Sequence, residues 1–369
     1  MRLTPFVTAA AAALMFSASA HASWDLWDKM KAVGMEDARV VDYSDSRAIT
    51  TSEGQSYALF FALVAGDRDT FEKMVKWTQD NLAGGRLDKT LPAWLWGATG
   101  GDGAARRWGI IDTNNAVDSD MWIAYCLLEA GRLWNRPDYT DKGKQMMALI
   151  AKEIRDVKNV GKVLLPGRVG FETKDTVKLN PSYYPLFILR RFAEIDPMWN
   201  AVFDGSLRVL LRSAPKGFAP DWVRFDKEGR IVEMQDPDNA IGSYNAIRTY
   251  LWAGMMSPKD PAYAVLKRQF QPMVEAVVTL GAPPEKVNLN TLAMNKAGNP
   301  GFAACILELA ERTPSAQKTA ARIRTMLTAM PVQKDNYYTN MLVLFGLGFD
   351  YRLFAFDENG RVWFPRAAK

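Results

Sequence analysis

The sequence predicts an all-α protein whose helices pair antiparallel around a ring or along a solenoid. Three observations carry this expectation. Apolar residues recur at helical spacing near 24–33, 53–65, 67–83, 118–134, 138–155, 182–195, 197–213, 242–256, 259–278, 299–312, 315–329 and 336–346. No alternating strand pattern of any length and no βαβ rhythm occurs. Gly84-Gly85, Gly100-Gly101, Pro181 and Pro283-Pro284 punctuate the segments. No low-complexity linker divides the chain and no tetratricopeptide- or ankyrin-like period is evident. Residues 23–369 are therefore expected to form a single domain.

In chain order, Arg2, the apolar stretch from Phe6 to Phe16 and Ala20-His21-Ala22 form the n-region, h-region and cleavage site of a signal peptide over 1–22. Cut near Ala22, the protein is expected in the periplasm or outside the cell. No later stretch reaches the roughly 18 uninterrupted apolar residues of a membrane span. Loss of Arg2 lowers the net charge from +5 to +4, and the basic residues are scattered, so nucleic acid is not an expected partner. The single histidine, His21, leaves with the signal peptide. That excludes Ser-His-Asp and Cys-His catalysis and argues against zinc, so neither metal nor cofactor is expected. Cys126 and Cys305 lie in apolar helical patterns, as buried free thiols or, in an oxidising compartment, as one disulfide. A monomer is expected.

The helix over 53–65 opens with Ser52-Glu53-Gly54-Gln55, a capping-box pattern. Tyr57, Phe60, Phe61 and Val64 give it an apolar face, and Gly54 leaves open space beside Glu53. Alone, a carboxylate there complements the helix dipole, worth about 0.3–1 kcal/mol. The Gly- and Trp-rich stretch 84–117 has little helical pattern and reads as a functional surface. Asp118 and Asp120 head the helix over 118–134; one acid suffices for a cap, and two are more than a cap needs. Lys162-Val163-Leu164-Leu165 and Phe171-Glu172 read as small hairpin strands in loops. Tyr183-Tyr184 and Ser243-Tyr244-Asn245-Ala246-Ile247-Arg248 stand at further helix starts. In a ring of antiparallel pairs, alternate helices share direction, so these N-termini would line one end. Trp94, Trp96, Trp108, Tyr183 and Trp222 are candidate sugar-stacking rings, each with core packing as the alternative.

Ser52-Glu53-Gly54-Gln55-Ser56-Tyr57, Ala116-Val117-Asp118-Ser119-Asp120 and Ser243-Tyr244-Asn245-Ala246-Ile247-Arg248 resemble, in combination, the three motifs of glycoside hydrolase family 8. The resemblance extends over essentially the whole mature chain, including Pro220-Asp221-Trp222-Val223 and Asn336-Tyr337-Tyr338. It is nearest to the endo-β-1,4-glucanases encoded with bacterial cellulose synthase. The resemblance implies an (α/α)6 barrel, an inverting mechanism, β-1,4-glucan as substrate and a periplasmic role beside the cellulose export components. It places the general acid on Glu53 and a motif carboxylate, as nucleophile or sugar-gripping group, on Asp118. Asp120 and Arg248 come with the same motifs as substrate-binding residues.

This chain departs from the family pattern mildly at Val117 and Ser119 and seriously at Asn245. Asp commonly stands at that third position, where it activates water. If the chain is active, another carboxylate must do this; Asp118, Asp236 and Asp238 are candidates, Glu233 and Asp175 weaker ones. Inverting hydrolysis also needs Glu53 to hold its proton against its helix terminus, with an ionised Asp118 and aromatic desolvation as the expected agents. Two alternatives to a glucanase follow. One is a non-catalytic glucan-binding component of the export machinery. The other is a family hydrolase acting on chitosan or xylan.

Overall fold

The computed structural model describes residues 24–101, 103–232 and 240–365. The signal peptide over 1–22 and Glu233, Asp236 and Asp238 lie outside the described residues. Thirteen α-helices occur among the described residues: α1 (Asp25–Gly34), α2 (Ser52–Ala65), α3 (Arg68–Leu82), α4 (Val117–Trp134), α5 (Pro137–Ile150), α6 (Leu186–Ile195), α7 (Trp199–Ser213), α8 (Ile247–Met255), α9 (Pro261–Gln269), α10 (Gln271–Leu280), α11 (Pro300–Glu311), α12 (Gln317–Ala329) and α13 (Tyr337–Asp350). None is long and apolar enough to cross a membrane.

The helices form an inner ring and an outer layer. Around the ring, α2 contacts α4, α4 contacts α6, α8 contacts α11, α11 contacts α13, and α13 returns to α2. Between α6 and α8 the link is the 3-10 turn Pro181–Tyr183, whose Ser182 carbonyl accepts from Trp252 Nε1 at 2.9 Å. Outside, α3 packs on α2, α5 on α4, α7 on α6, α9 on α8, α12 on α11, and α1 on α13. The first helix thus pairs with the last, and six pairs complete the (α/α)6 arrangement. Phe345 of α13 occupies the middle, with Tyr57, Phe61, Trp122 and Trp252 each 4.6–5.3 Å from it, ring to ring. An inner helix is consequently buried all round: α2 hides every residue from Gly54 to Val64, where the sequence suggested one apolar face. Cys126 and Cys305 are free thiols in this core.

Several boundaries differ from the expected ones for local reasons. The helix expected over 138–155 stops at Ile150, and Ile154–Val157 pairs as a strand with Gly161–Leu164 around a turn where Asn159 takes a positive φ. Pro185 disfavours helix at Tyr184, so α6 starts at Leu186 rather than 182. Pro272 has no N–H to continue the ladder, which splits 259–278 into α9 and α10 at Phe270. The stretch 84–117 holds strands Leu95–Gly100 and Arg107–Asp112; the first pairs with the second on one side and on the other with Thr50–Thr51, which leads into α2. Phe171-Glu172 contributes an isolated bridge, Glu172 to Val177.

Candidate active site

Inner-helix N-termini gather at one end of the ring. Glu53 lies in the first turn of α2 and Asp118 in the first turn of α4. Arg248 lies in the first turn of α8 and Tyr337 begins α13. The capping box does not form. Thr51 caps α2 by accepting from Gly54 N at 3.0 Å. Gln55 instead turns back, accepting from Val40 N at 2.7 Å and donating to the Ala38 carbonyl and Thr78 Oγ1. Nor does Gly54 leave open space. A Cβ there would stand 3.2 Å from Val40 Cγ1 and 3.4 Å from Tyr337 Cε2, so the missing side chain admits the Tyr337 ring beside Glu53.

Arg248, buried, holds the cluster together. Its Nη1 donates to Glu53 Oε2, to Tyr57 OH at 3.1 Å and to Asp118 Oδ2 at 3.3 Å. Its Nη2 donates to Asn245 Oδ1 at 2.9 Å. Tyr337 OH donates to the other Glu53 oxygen at 3.0 Å. Asp118 is 4% exposed, and burial pushes its carboxyl up to about 6. Arg248 opposes that rise and the Glu53 charge adds to it. An acid so placed changes charge close to neutrality.

Asn245 sits in the turn before α8, which begins five residues later than the expected 242. That turn is held by Asp221, whose Oδ1 accepts from the backbone N–H groups of Ser243, Asn245 and Ala246 at 2.8–3.0 Å. The Asn245 side-chain oxygen accepts twice, from Arg248 and from Asn180 Nδ2 at 3.0 Å. Both lone pairs of that oxygen are occupied, and the side chain has only its NH2 left to offer a water. Asp175, a candidate for the missing base, is an exposed loop residue 3.7 Å from Lys227 Nζ.

The aromatic candidates divide. Trp94 is 36% exposed, and its backbone carbonyl accepts at 3.0 Å from the N–H of Ser52, the residue before Glu53. Trp96 is buried and stacks on Trp108 at 5.2 Å; Trp108 is 43% exposed but also carries Arg39 and Arg106 over its ring. Tyr183 is half-buried, with the Arg248 guanidinium 5.6 Å from its ring and Trp222 6.2 Å away. Trp222 in turn stacks on Phe171. Asp120 is placed apart from all of these. It has no exposed surface, and its Oδ2 accepts from Asn115 Nδ2 at 2.7 Å. Tyr57, Tyr337, Asn180 and Asp221 belong to the cluster without having been singled out as site residues. The motif-bearing stretches around Tyr57, Asp221 and Tyr337 were the available signal.

Two carboxyl groups converge on one arginine, beside the Tyr183 and Tyr338 rings, with no metal-binding group of His, Cys, Asp or Glu among the described residues. Such a set can donate a proton to, and hold, a polyhydroxylated substrate. Comparison with known proteins agrees. The family model for Glycosyl hydrolases family 8 matches residues 4–352. The Endoglucanase of Escherichia coli strain K12 is 40% identical over 349 residues, 94% of this chain and 92% of the relative. The Endoglucanase of Xanthomonas axonopodis pv. citri is 40% identical over 368 residues, 95% and 91% of the two chains. The crystal structure of endo-1,4-D-glucanase from Vibrio fischeri ES114 superposes with a TM-score of 0.86 at 41% identity, covering 93% of this chain and 99% of that one. With a match along nearly its whole length and the motif residues drawn into one cluster, the chain belongs to glycosyl hydrolases family 8.

Proposed function

We propose that the protein is an endo-β-1,4-glucanase that cleaves β-1,4-glucan by inversion, in the periplasm and beside the cellulose export machinery. The carrying observation is the convergence of Glu53 and Asp118 on Arg248 at one end of the ring. The endoglucanase names of the relatives support the substrate, and the signal-peptide pattern of residues 1–22 supports the compartment. In this mechanism Glu53 protonates the glycosidic oxygen. A water on the opposite face of the sugar attacks the anomeric carbon in a single displacement. The Asn245 NH2 holds that water, and Asp118, which titrates near neutrality, accepts its proton. Arg248 orients both carboxyl groups, and Trp94 and Tyr183 supply flat faces for the sugar rings.

A specific observation favours a second role, that of a non-catalytic glucan-binding component. Asn245 stands where a base would, and its only acceptor atom is occupied by Arg248 and Asn180. Release of reducing ends from carboxymethyl cellulose, chitosan and xylan separates the possibilities. Turnover of the first alone supports the glucanase. Turnover of chitosan or xylan reassigns the substrate. Binding to glucan with no turnover establishes the second role.

A further inference from the structure

At the end of the ring opposite Glu53 lies a cavity of about 1060 Å³. It is bounded by the C-terminal turns of α4, α8, α11 and α13 and by the hairpin Ala355–Phe356/Val362–Trp363. Along α4, 18 residues separate the two ends, roughly 27 Å at 1.5 Å per residue. The catalytic mechanism uses none of the residues that line this cavity.

We propose that this cavity is a second glucan-binding site, taking a neutral β-glucan oligosaccharide or chain segment. Four features point to that chemistry. Its volume lies just above the ~300–1,000 Å³ range of built ligand sites, room enough for several sugar rings. Trp363 stands at its rim, 46% exposed and stacked on no other ring among the described residues, while Tyr263, Phe349, Phe354 and Phe356 are buried beneath it as packing, Arg312 covering the first two rings. Trp363 is also held firmly. Its neighbour Val362 gives its N–H to buried Glu129 at 2.9 Å, and the Val362 carbonyl accepts from Arg132 at 2.6 Å. The Gly360 carbonyl accepts from Tyr125 OH at 2.8 Å, so α4 clamps the hairpin at three points.

The fourth feature is charge. Six basic and five acidic side chains line the cavity, and most are already paired, as in Arg324 with Glu311 and Asp350. Four helix C-termini aim partial negative charge at it, which disfavours an anion, while the basic majority disfavours a cation. What the wall offers is a mixture of donors and acceptors over a flat apolar ring, which matches the hydroxyls and C–H faces of a neutral sugar. Lys259, Arg352 and Glu358, exposed and without an ion-pair partner among the described residues, are the groups left to bond hydroxyls. Such a site would keep a polymer attached while the other end of the ring works on it.

The proposal rests on glucan being the ligand of this protein, and the test separates the two. Calorimetric titration of the uncleaving Glu53→Gln protein with cellopentaose should show two binding equivalents, one of which disappears with Trp363→Ala. In the otherwise wild-type protein, Trp363→Ala should lower retention on insoluble cellulose by about tenfold, the loss of one aromatic platform. Its kcat/KM on soluble cellopentaose should stay within about twofold of wild type, since chemistry at the other end is untouched. A single equivalent, unchanged by Trp363→Ala in a protein that cleaves glucan, overturns the second site and leaves the glucanase assignment standing. Absence of both cleavage and binding removes both. If Trp363→Ala also lowers Tm, Arg352→Gly decides. Arg352 has a φ of 56°, which glycine adopts without strain, so the guanidinium is removed from a stable fold. Weakening of the second equivalent then supports the site, and its full retention overturns it.

Discussion

Asn245→Asp should convert the water-holding position into a base and raise kcat on a soluble β-1,4-glucan. The structure fixes the geometry of the new carboxylate in advance. Its Oδ1 inherits the bonds from Arg248 Nη2 at 2.9 Å and Asn180 Nδ2 at 3.0 Å, so its Oδ2 replaces the NH2. The Asn180 bond becomes charge-assisted, rising from about 0.5–1.5 to about 1.5–3 kcal/mol, and the Arg248 bond, already charge-assisted, becomes an ion pair, which together offset the desolvation of the carboxylate. Beside the buried Arg248 guanidinium, the new acid should be ionised at neutral pH. A positioned general base is worth roughly 10²–10⁴-fold, or about 2.7–5.4 kcal/mol of barrier. A gain in that range is expected if wild type is nearly inert, and a smaller one if Asp118 already serves. The assay is kcat for wild type, Asn245→Asp, Asp118→Asn and the double variant, with release of reducing ends as the readout. In the Asn245→Asp background, Asp118→Asn should cost less than it does alone, because the two carboxylates then share the task. A slower Asn245→Asp protein, beside a fully active wild type, refutes this account: the position would then only orient water.

Glu53→Gln, nearly isosteric, should lower kcat by at least about 10²-fold while glucan binding and Tm are kept; more than a tenth of wild-type rate would sink the assignment of the acid. Asp118 carries a pH signature. Its folded carboxyl lies above the ordinary 3.8, at about 6, so the stability associated with its protonation is present below 3.8 and is lost as pH rises through about 6. Asp118→Asn should therefore raise Tm above pH 6 and leave it unchanged below pH 4, and the acid limb of wild-type activity near pH 6 should vanish in the variant. A Tm difference that is the same at pH 4 and pH 7 would show that burial of the charge is not its cause. NMR of the first-formed sugar should show the α anomer from a β-linked glucan; a β product would mean double displacement, with Asp118 as nucleophile.

The sequence pattern located the inner helices and the motif residues at their starts, because a helix N-terminus is written locally, in the few residues before an apolar run. It did not locate what those residues touch. Tyr337 lies 284 positions from Glu53, and Tyr57 lies 191 from Arg248, so their meeting depends on the ring closing. The local pattern at Ser52 and Gln55 matched a capping box, yet packing claimed Gln55 for the Val40 and Ala38 backbone. The same override shaped the start of α8: an aspartate 22–25 positions upstream accepts from three N–H groups in the turn ahead of it. Asp120 shows the limit of a motif. Its neighbour two residues earlier faces the cluster, while Asp120, turned about 200° further round the same helix, is buried against Asn115.

The position of the site follows from how the inner ring is filled. Phe345, Tyr57, Trp122 and Trp252 occupy the middle of the ring, so its centre is aromatic. Charged side chains therefore collect where the inner helices end, and the two ends differ in kind. At the N-terminal end, unsatisfied N–H groups and dipoles favour carboxylates, and Glu53 and Asp118 stand there, tied by one arginine. At the C-terminal end the same dipoles favour cations, and Arg132 and Arg312 stand there paired with Glu129 and Glu308, with the exposed Arg352 nearby. An end that gathers acids suits proton transfer. An end whose charges cancel in pairs suits a neutral ligand. One helical ring, by its polarity alone, thus supplies two chemically different mouths to a polymer long enough to reach both.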